Sequence, residues 1–316
     1  MLLDTERVCT TVKKTFINGW KKDFKRNKTL YIMMIPVLAF YILFCYKPMY
    51  GALIAFKDYS PRLGMVASPW IGLDNFKAFF SSPDFVRVFR NTLTISISSL
   101  IFGFPAPIIF ALLMNELANG VFKRSVQTFS YMPHFISMVV ICGMIKTFVG
   151  SDGIIGSLVN SITGNTGSLL MQPNKFVPIY VLSGIWQTMG WSAIIYLAAL
   201  SGIDPQLYEA AELDGAGKAA KMFKITLPSI GLTIITMLII QIGHIMSVGY
   251  EKVILLYNPL IYETSDIISS YVYRQAFETR NWGYSTAVGL FNSVINLMLL
   301  IVSNKISKRV TDSGLW

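Results

Sequence analysis

Charged side chains are spread along this chain so as to leave six long gaps. No Asp, Glu, Lys or Arg occurs in 29–46, 91–115, 125–145, 177–203, 229–250 or 281–304, runs of 18, 25, 21, 27, 22 and 24 residues. A helix of about 20 residues, rising 1.5 Å per residue, crosses a hydrocarbon core of roughly 30 Å. Six such runs predict an all-α polytopic membrane protein with six transmembrane helices, at about 29–56, 91–115, 125–149, 177–203, 229–250 and 284–304. The first extends past Lys47 to Phe56 and carries Pro36. The second contains Gly103-Phe104-Pro105-Ala106-Pro107, and two prolines near mid-span should kink or open it, which neighbouring helices tolerate. Between spans, 57–90 holds turn signals (Ser60-Pro61, Ser68-Pro69, Ser82-Pro83) and an aromatic piece, Trp70–Phe76. Segment 150–176 is rich in Gly, Ser and Asn and reads as a loop. Segment 251–283 mixes Tyr, Asn, Pro and charges and suits a short helix at the interface.

Composition agrees. Of 316 residues 53% are hydrophobic and 14% charged, against roughly 25% charged in an average soluble domain, and the mean hydropathy is +0.53. The formal charge is +10, half of it from residues 1–28, where eight basic residues face Asp4, Glu6 and Asp23. Such a tail suits an anchor beside anionic lipid better than a nucleic-acid partner. The side bearing the tail, loops 116–124 and 204–228 and the C-terminus carries 16 Lys and Arg in 74 residues; the other side carries 11 in 105. The denser side belongs inside, which predicts both termini in the cytoplasm. The expected plan is a basic tail 1–28, one membrane domain 29–304 and a cytoplasmic tail 305–316. The first apolar run has no small-residue cleavage site close behind it and reads as a membrane helix rather than a leader.

Absences narrow the chemistry. There is no G-x-x-x-x-G-K-[ST] phosphate loop, no H-E-x-x-H beside His134 or His244, and no G-x-S-x-G. Cys9, Cys45 and Cys142 offer neither a disulfide framework nor metal spacing. No catalytic residue, metal or cofactor is expected on this chain. The spans hold almost no ionisable group at mid-depth, which weakens an ion-coupled carrier, although neutral sodium sites stay open. The work is expected to come from another subunit.

The loop between the fourth and fifth spans is the most informative stretch. Asp204 can cap a helix whose first residue is Pro205, good helix formers run to Asp214, and Gly215 suits the left-handed position that closes it. A second short helix leads to Pro228. Ala210 and Ala211 allow a partner surface to come close, and Glu209 offers it a charge. These residues also carry a likeness. Glu209-Ala210-Ala211, Gly215 after three residues and Ile225-x-Leu227-Pro228 after nine more resemble the EAA loop of permeases in binding-protein-dependent ABC importers, at all seven positions. Trp70–Phe76, Tyr257-Asn258-Pro259 and Tyr271-Val272-Tyr273-Arg274 resemble the maltose-type carbohydrate branch, and within it the LplB-like permeases for polysaccharides and oligosaccharides.

The resemblance implies the type I permease fold in a bacterial cell membrane, one half of a hetero-dimeric pore completed by a second permease subunit. It also implies two ATP-binding subunits holding ATP and Mg, an extracytoplasmic solute-binding protein, an oligosaccharide substrate and surrounding lipid. The coupling helix would use Glu209, Ala210, Ala211, Leu213 and Gly215. For the sugar path the residues offer aromatic faces and neutral hydrogen-bonding groups: Trp186, Gln187, Trp191 and Tyr196 in span 4, Gln241 and His244 in span 5, Asn292 and Asn296 in span 6. The same residues suit interfacial belts and interhelical hydrogen bonds. A permease for a non-sugar solute and an ion-coupled carrier are the alternatives.

Overall fold

The computed structural model describes residues 26–164 and 166–311. Expectations for the tail up to residue 25, Cys9 included, and for residues 312–316 fall outside them. Helices form where the uncharged runs place them: α1 (Lys28–Phe56), a short surface helix α2 (Asp74–Phe80) and α3 (Asp84–Glu116). Then come α4 (Val121–Tyr131), α5 (Met138–Val149) and α6 (Ile154–Thr163), followed by α7 (Pro173–Ser201). The remainder is α8 (Pro205–Leu213), α9 (Lys218–Ser229) and α10 (Gly231–Gly243), α11 (Tyr250–Leu256), α12 (Ile268–Phe277) and α13 (Trp282–Thr311). The described residues form no strand, only one antiparallel bridge between Lys57 and Trp70.

Four stretches are long and apolar enough to cross a membrane: α1, α3, α5 with α6, and α13. The pair α9–α10, bent by 59°, would make a fifth if taken as one broken span. At 29 residues α7 is as long as these, but Gln187, Thr188 and Ser192 make it more polar. Two expected spans differ in outline. The third, placed at 125–149, is interrupted by a 3₁₀ turn at Met132–Phe135, where Pro133 cannot continue an α-helix. Ser137 then caps α5 by accepting from the Val140 amide. The apolar helix carries on into α6, within the stretch expected to be loop. The fifth span, expected at 229–250, stops at Gly243.

Widened π turns lie at Tyr41–Tyr46, Ser99–Gly103 and Met222–Thr226. Each ends two residues before a proline: Pro48, Pro105 and Pro228. Proline supplies no N–H and its ring crowds the carbonyl four residues back, so the preceding turn opens instead of breaking. This is the local opening that the Pro105-Ala106-Pro107 cluster predicts.

The break after α10 leaves backbone groups exposed inside the bundle, and side chains from other helices take them up. Asn296 Oδ1 accepts from the Met246 amide at 3.0 Å, and its Nδ2 donates to Ser247 Oγ at 2.8 Å. Asn292 Nδ2 donates to the Met246 carbonyl at 3.3 Å, and Ser96 Oγ donates to the Ile245 carbonyl.

Packing is divided among three small clusters. At the elbow end, Ile108 and Ala111 of α3 meet Ala193, Tyr196 and Leu200 of α7 and Ile230 at the α9–α10 bend. At the far end, Ile95 joins Ile141, Cys142, Phe176, Val253 and Leu256. Phe79, Val88, Tyr271, Tyr284 and Val288 form the third cluster. Gly190 lets α7 approach α4, since a Cβ there would stand 2.3 Å from the Ser130 carbonyl oxygen. None of the apolar window of α1 is buried; it meets the bundle through its Tyr50–Phe56 end against α13.

One buried carboxylate ties the far end together. Asp266, fully buried, accepts from both terminal nitrogens of Arg274 at 2.7 and 2.6 Å, from Arg87 at 3.2 Å and from Ser270 at 2.8 Å. Asn91 donates to the Asp266 carbonyl at 3.0 Å, and Thr92 Oγ1 accepts from the Ile268 amide at 2.9 Å, so α3 is stitched to the 262–268 turn. Asp266→Ala leaves Arg274 without its anion and Arg87 with Asp84 alone, and a loss of about 3–5 kcal/mol is expected. Thermal unfolding of the detergent-solubilised protein should show it, with Asp84→Ala, whose carboxylate is partly exposed, changing the midpoint much less.

Candidate functional site

The first candidate site is the elbow formed by α8 and α9. Asp204 caps α8 by accepting from the Gln206 amide at 3.0 Å, with Pro205 in the first turn. The helix closes in a Schellman motif: the Ala216 amide reaches the Ala211 carbonyl at 2.8 Å and the Gly215 amide the Glu212 carbonyl at 3.0 Å. Gly215 takes the left-handed conformation this needs, φ +76°. Two side-chain contacts hold the arms at a fixed angle. Tyr208 and Thr226 hydroxyls lie 3.0 Å apart, with Thr226 buried, and Lys221 Nζ sits 3.1 Å from Glu212 Oε2. Lys221 therefore pairs with Glu212. Glu209 is exposed and has no ion-pair partner within 4.0 Å among the described residues. Ala210 is exposed beside it, Leu213 is 91% exposed, and Leu207 and Phe223 add apolar surface. A carboxylate amid open apolar side chains on a cross-braced turn has the chemistry to receive a protein with a cation to offer.

The second candidate is a cleft of about 550 Å³ between α3, α7 and α10. Gln187, Trp191, Tyr196 and Gln241 line it together, as do Ser99 and Thr188. Gln187 is buried and Trp191 half exposed; His134, on the turn before α5, stacks on Trp191 at 4.6 Å with the rings 3° from parallel. Phe135 meets the same indole edge-on at 5.3 Å. His244 lines a smaller adjoining recess of about 170 Å³ with Ser96, Tyr180 and Gln241.

Three residues expected on the sugar path lie elsewhere, among them Asn296, which spends its amide on the Met246 N–H and the Ser247 hydroxyl. Trp186 faces an apolar recess with Met144, Phe148 and Leu182, away from the cleft, because neighbours on a helix point about 100° apart. Asn292 spends its amide on the Met246 carbonyl.

Lys252, which in the sequence stands out only as one more charge, also lines the cleft. It is 4% exposed, its Nζ donates to the Tyr180 carbonyl at 3.0 Å, and it lies 4.7 Å from the Tyr180 ring centroid. Burial pushes the ammonium down to about 8. A signal was present: a lysine just past an uncharged run, with Val248, Gly249, Leu255 and Leu256 at helical spacing and no acid among them.

The helical bundle, the capped elbow and the walled cleft define a membrane transport component. Residues 103–312, about two thirds of the chain, match the family described as binding-protein-dependent transport system inner membrane component, and the chain belongs to that family. It is similar to Protein LplB of Bacillus subtilis (strain 168), 45% identical over 299 residues that make up 94% of each chain. It is also similar to the polygalacturonan/rhamnogalacturonan transport system permease protein YteP of the same organism, 40% identical over 92% of this chain and 91% of that one. Among solved structures, a chain of a bacterial ABC transporter involved in the import of the acidic polysaccharide alginate matches at 42% identity and a TM-score of 0.85, over 93% of this chain and 99% of that one. A second structure of an alginate transporter, in complex with an alginate pentasaccharide-bound periplasmic protein, matches equally. The all-α permease fold implied by the sequence is the fold found.

Gly215→Val forces a branched residue into the left-handed region, at a cost of about 1–2 kcal/mol. Amide exchange across Ala210–Ala216 should quicken while exchange in α7 and α10 stays unchanged.

Proposed function

We propose that this chain is the permease subunit of an ATP-driven importer that takes up an oligosaccharide delivered by an extracytoplasmic binding protein. The observation that carries this is the elbow: the EAA-type residues stand on a capped, cross-braced turn whose Glu209 is unpaired and outward. The similar proteins named for polygalacturonan/rhamnogalacturonan transport and alginate import support the solute class.

Six spans, with α7 among them and both termini in the cytoplasm, put the elbow on the cytoplasmic side. ATP and Mg belong to two ATP-binding subunits, which bind the elbow through Glu209, Ala210, Ala211, Leu213 and Gly215, and this chain holds no cofactor. Their closure on ATP moves the elbow as a rigid body and opens the cleft outward. A second permease subunit completes the pore and covers the outward sides of α1. The loaded binding protein docks on 57–90, 150–176 and 251–283. Within the cleft Trp191 gives a stacking face to a sugar ring, and Gln187 and Gln241 exchange hydrogen bonds with its hydroxyls.

Reconstitution with the neighbouring permease, ATPase and binding protein tests this by ATP hydrolysis against a panel of oligosaccharides. Glu209→Ala should remove about 2–5 kcal/mol of docking energy and abolish sugar-stimulated turnover while the subunit still inserts. Unaltered turnover in that variant counts against the role of Glu209. Stimulation only by a non-sugar solute counts against the carbohydrate reading.

A further inference from the structure

Among the described residues, the cations drawn into the bundle are of two kinds, half-buried and fully buried. Arg87 and Arg274 share Asp266, with which each forms an ion pair. Lys252 is as deeply buried as any charged residue besides Asp266, yet no carboxylate lies within 4.0 Å of it among the described residues. Its partners are one backbone carbonyl and one aromatic face. An ammonium carries three donors, and burying it without an anion is costly. A position that served only packing would be filled more cheaply by Met or Leu.

The place of this group is as informative as its lack of an anion. The chain breaks after Gly243, returns through Gly249 and sends α11 back against α5 and α12, with Lys252 reaching Tyr180 of α7. That return puts Lys252 into the wall of the same cleft as Gln187, Trp191 and Gln241. One cation therefore faces a chamber otherwise lined by aromatic, amide, hydroxyl and apolar groups.

We infer that Lys252 is a specificity-determining residue that receives the carboxylate of an acidic sugar unit, so that the oligosaccharide carried is built from uronic acids. The inference rests on the oligosaccharide reading above and deepens it. An arriving carboxylate supplies the anion the buried ammonium lacks, while the neutral amides and the Trp191 face serve the hydroxyls and ring of the same unit. A neutral sugar leaves the ammonium uncompensated.

The test uses the complete transporter in proteoliposomes with two probes: a galacturonate trisaccharide and the same trisaccharide with its carboxyls reduced to alcohols. The readout is the ratio of their uptake rates in wild type, Lys252→Met and Lys252→Arg. The binding protein is the same in every arm, so its own preference cancels from the change in that ratio. Lys252→Met should lower the acidic-to-neutral ratio about tenfold or more, the scale of a lost charge-assisted hydrogen bond, and Lys252→Arg should restore most of it. Both variant complexes should purify with all subunits in the wild-type ratio and the wild-type thermal midpoint, which shows that they are folded and assembled. An unchanged ratio, or equal loss of both probes, overturns the inference and makes Lys252 a packing residue or the mate of an acid on the second permease. Wild-type uptake of the neutral probe alone also overturns it and leaves the oligosaccharide reading standing. Uptake of neither probe, together with stimulation only by a non-sugar solute, removes that reading and this one with it.

Discussion

A peptide group in a hydrocarbon layer has no water to bond with, so each departure from regular helix must be satisfied by the protein. That constraint explains much of this structure. Three prolines are met by widened turns that keep the helix going. The larger break, after Gly243, is held by amides and a hydroxyl from α13 and α3 acting on the Ile245–Met246 backbone and the Ser247 hydroxyl. With the break secured, the chain can fold α11 back into the bundle and bring a lysine to the cleft. Catching the backbone in this way is what allows the cleft to have a charged wall.

The two candidate sites share their walls and supports. Helices α7 and α10 line the cleft, and both run directly into the elbow, α7 through α8 and α10 through α9. Tyr208 and Thr226 join the arms, and the cluster around Ile108, Tyr196 and Ile230 packs where they meet the bundle. At the other end Asp266 binds α3 to the 262–274 segment. The bundle is thus pinned at both ends, with the less densely packed cleft between them.

Some of this was legible in the sequence because its causes are local. Uncharged runs mark helices since few charges can be carried through lipid, and Asp204-Pro205 and Gly215 mark the ends of α8 through their own backbone preferences. The interruption at Met132–Ser137 was harder to see, because an uncharged run looks the same whether or not it is broken, and Pro133 was the only sign. The cleft depends on which face of each helix meets which neighbour. Adjacent residues such as Trp186 and Gln187 therefore part company, and Asn292 serves a helix break where composition suggested a sugar contact. Apolar neighbours at helical spacing mark Lys252 as buried, but the path of the chain after Gly243 decides which cavity it reaches, and that is not written in the spacing.

The corner at Ile230 carries a mechanical meaning. Its side chain is 1% exposed and wedged against α3 and α7, so the 59° bend is a seated fulcrum rather than a loose hinge. The arms on either side, 12 residues in α9 and 13 in α10, are about 18 and 20 Å long. A crank with nearly equal arms has a mechanical advantage close to one. Tilting the short outer arm would swing the far tip of α10, and with it Gln241, by a similar distance and in a new direction.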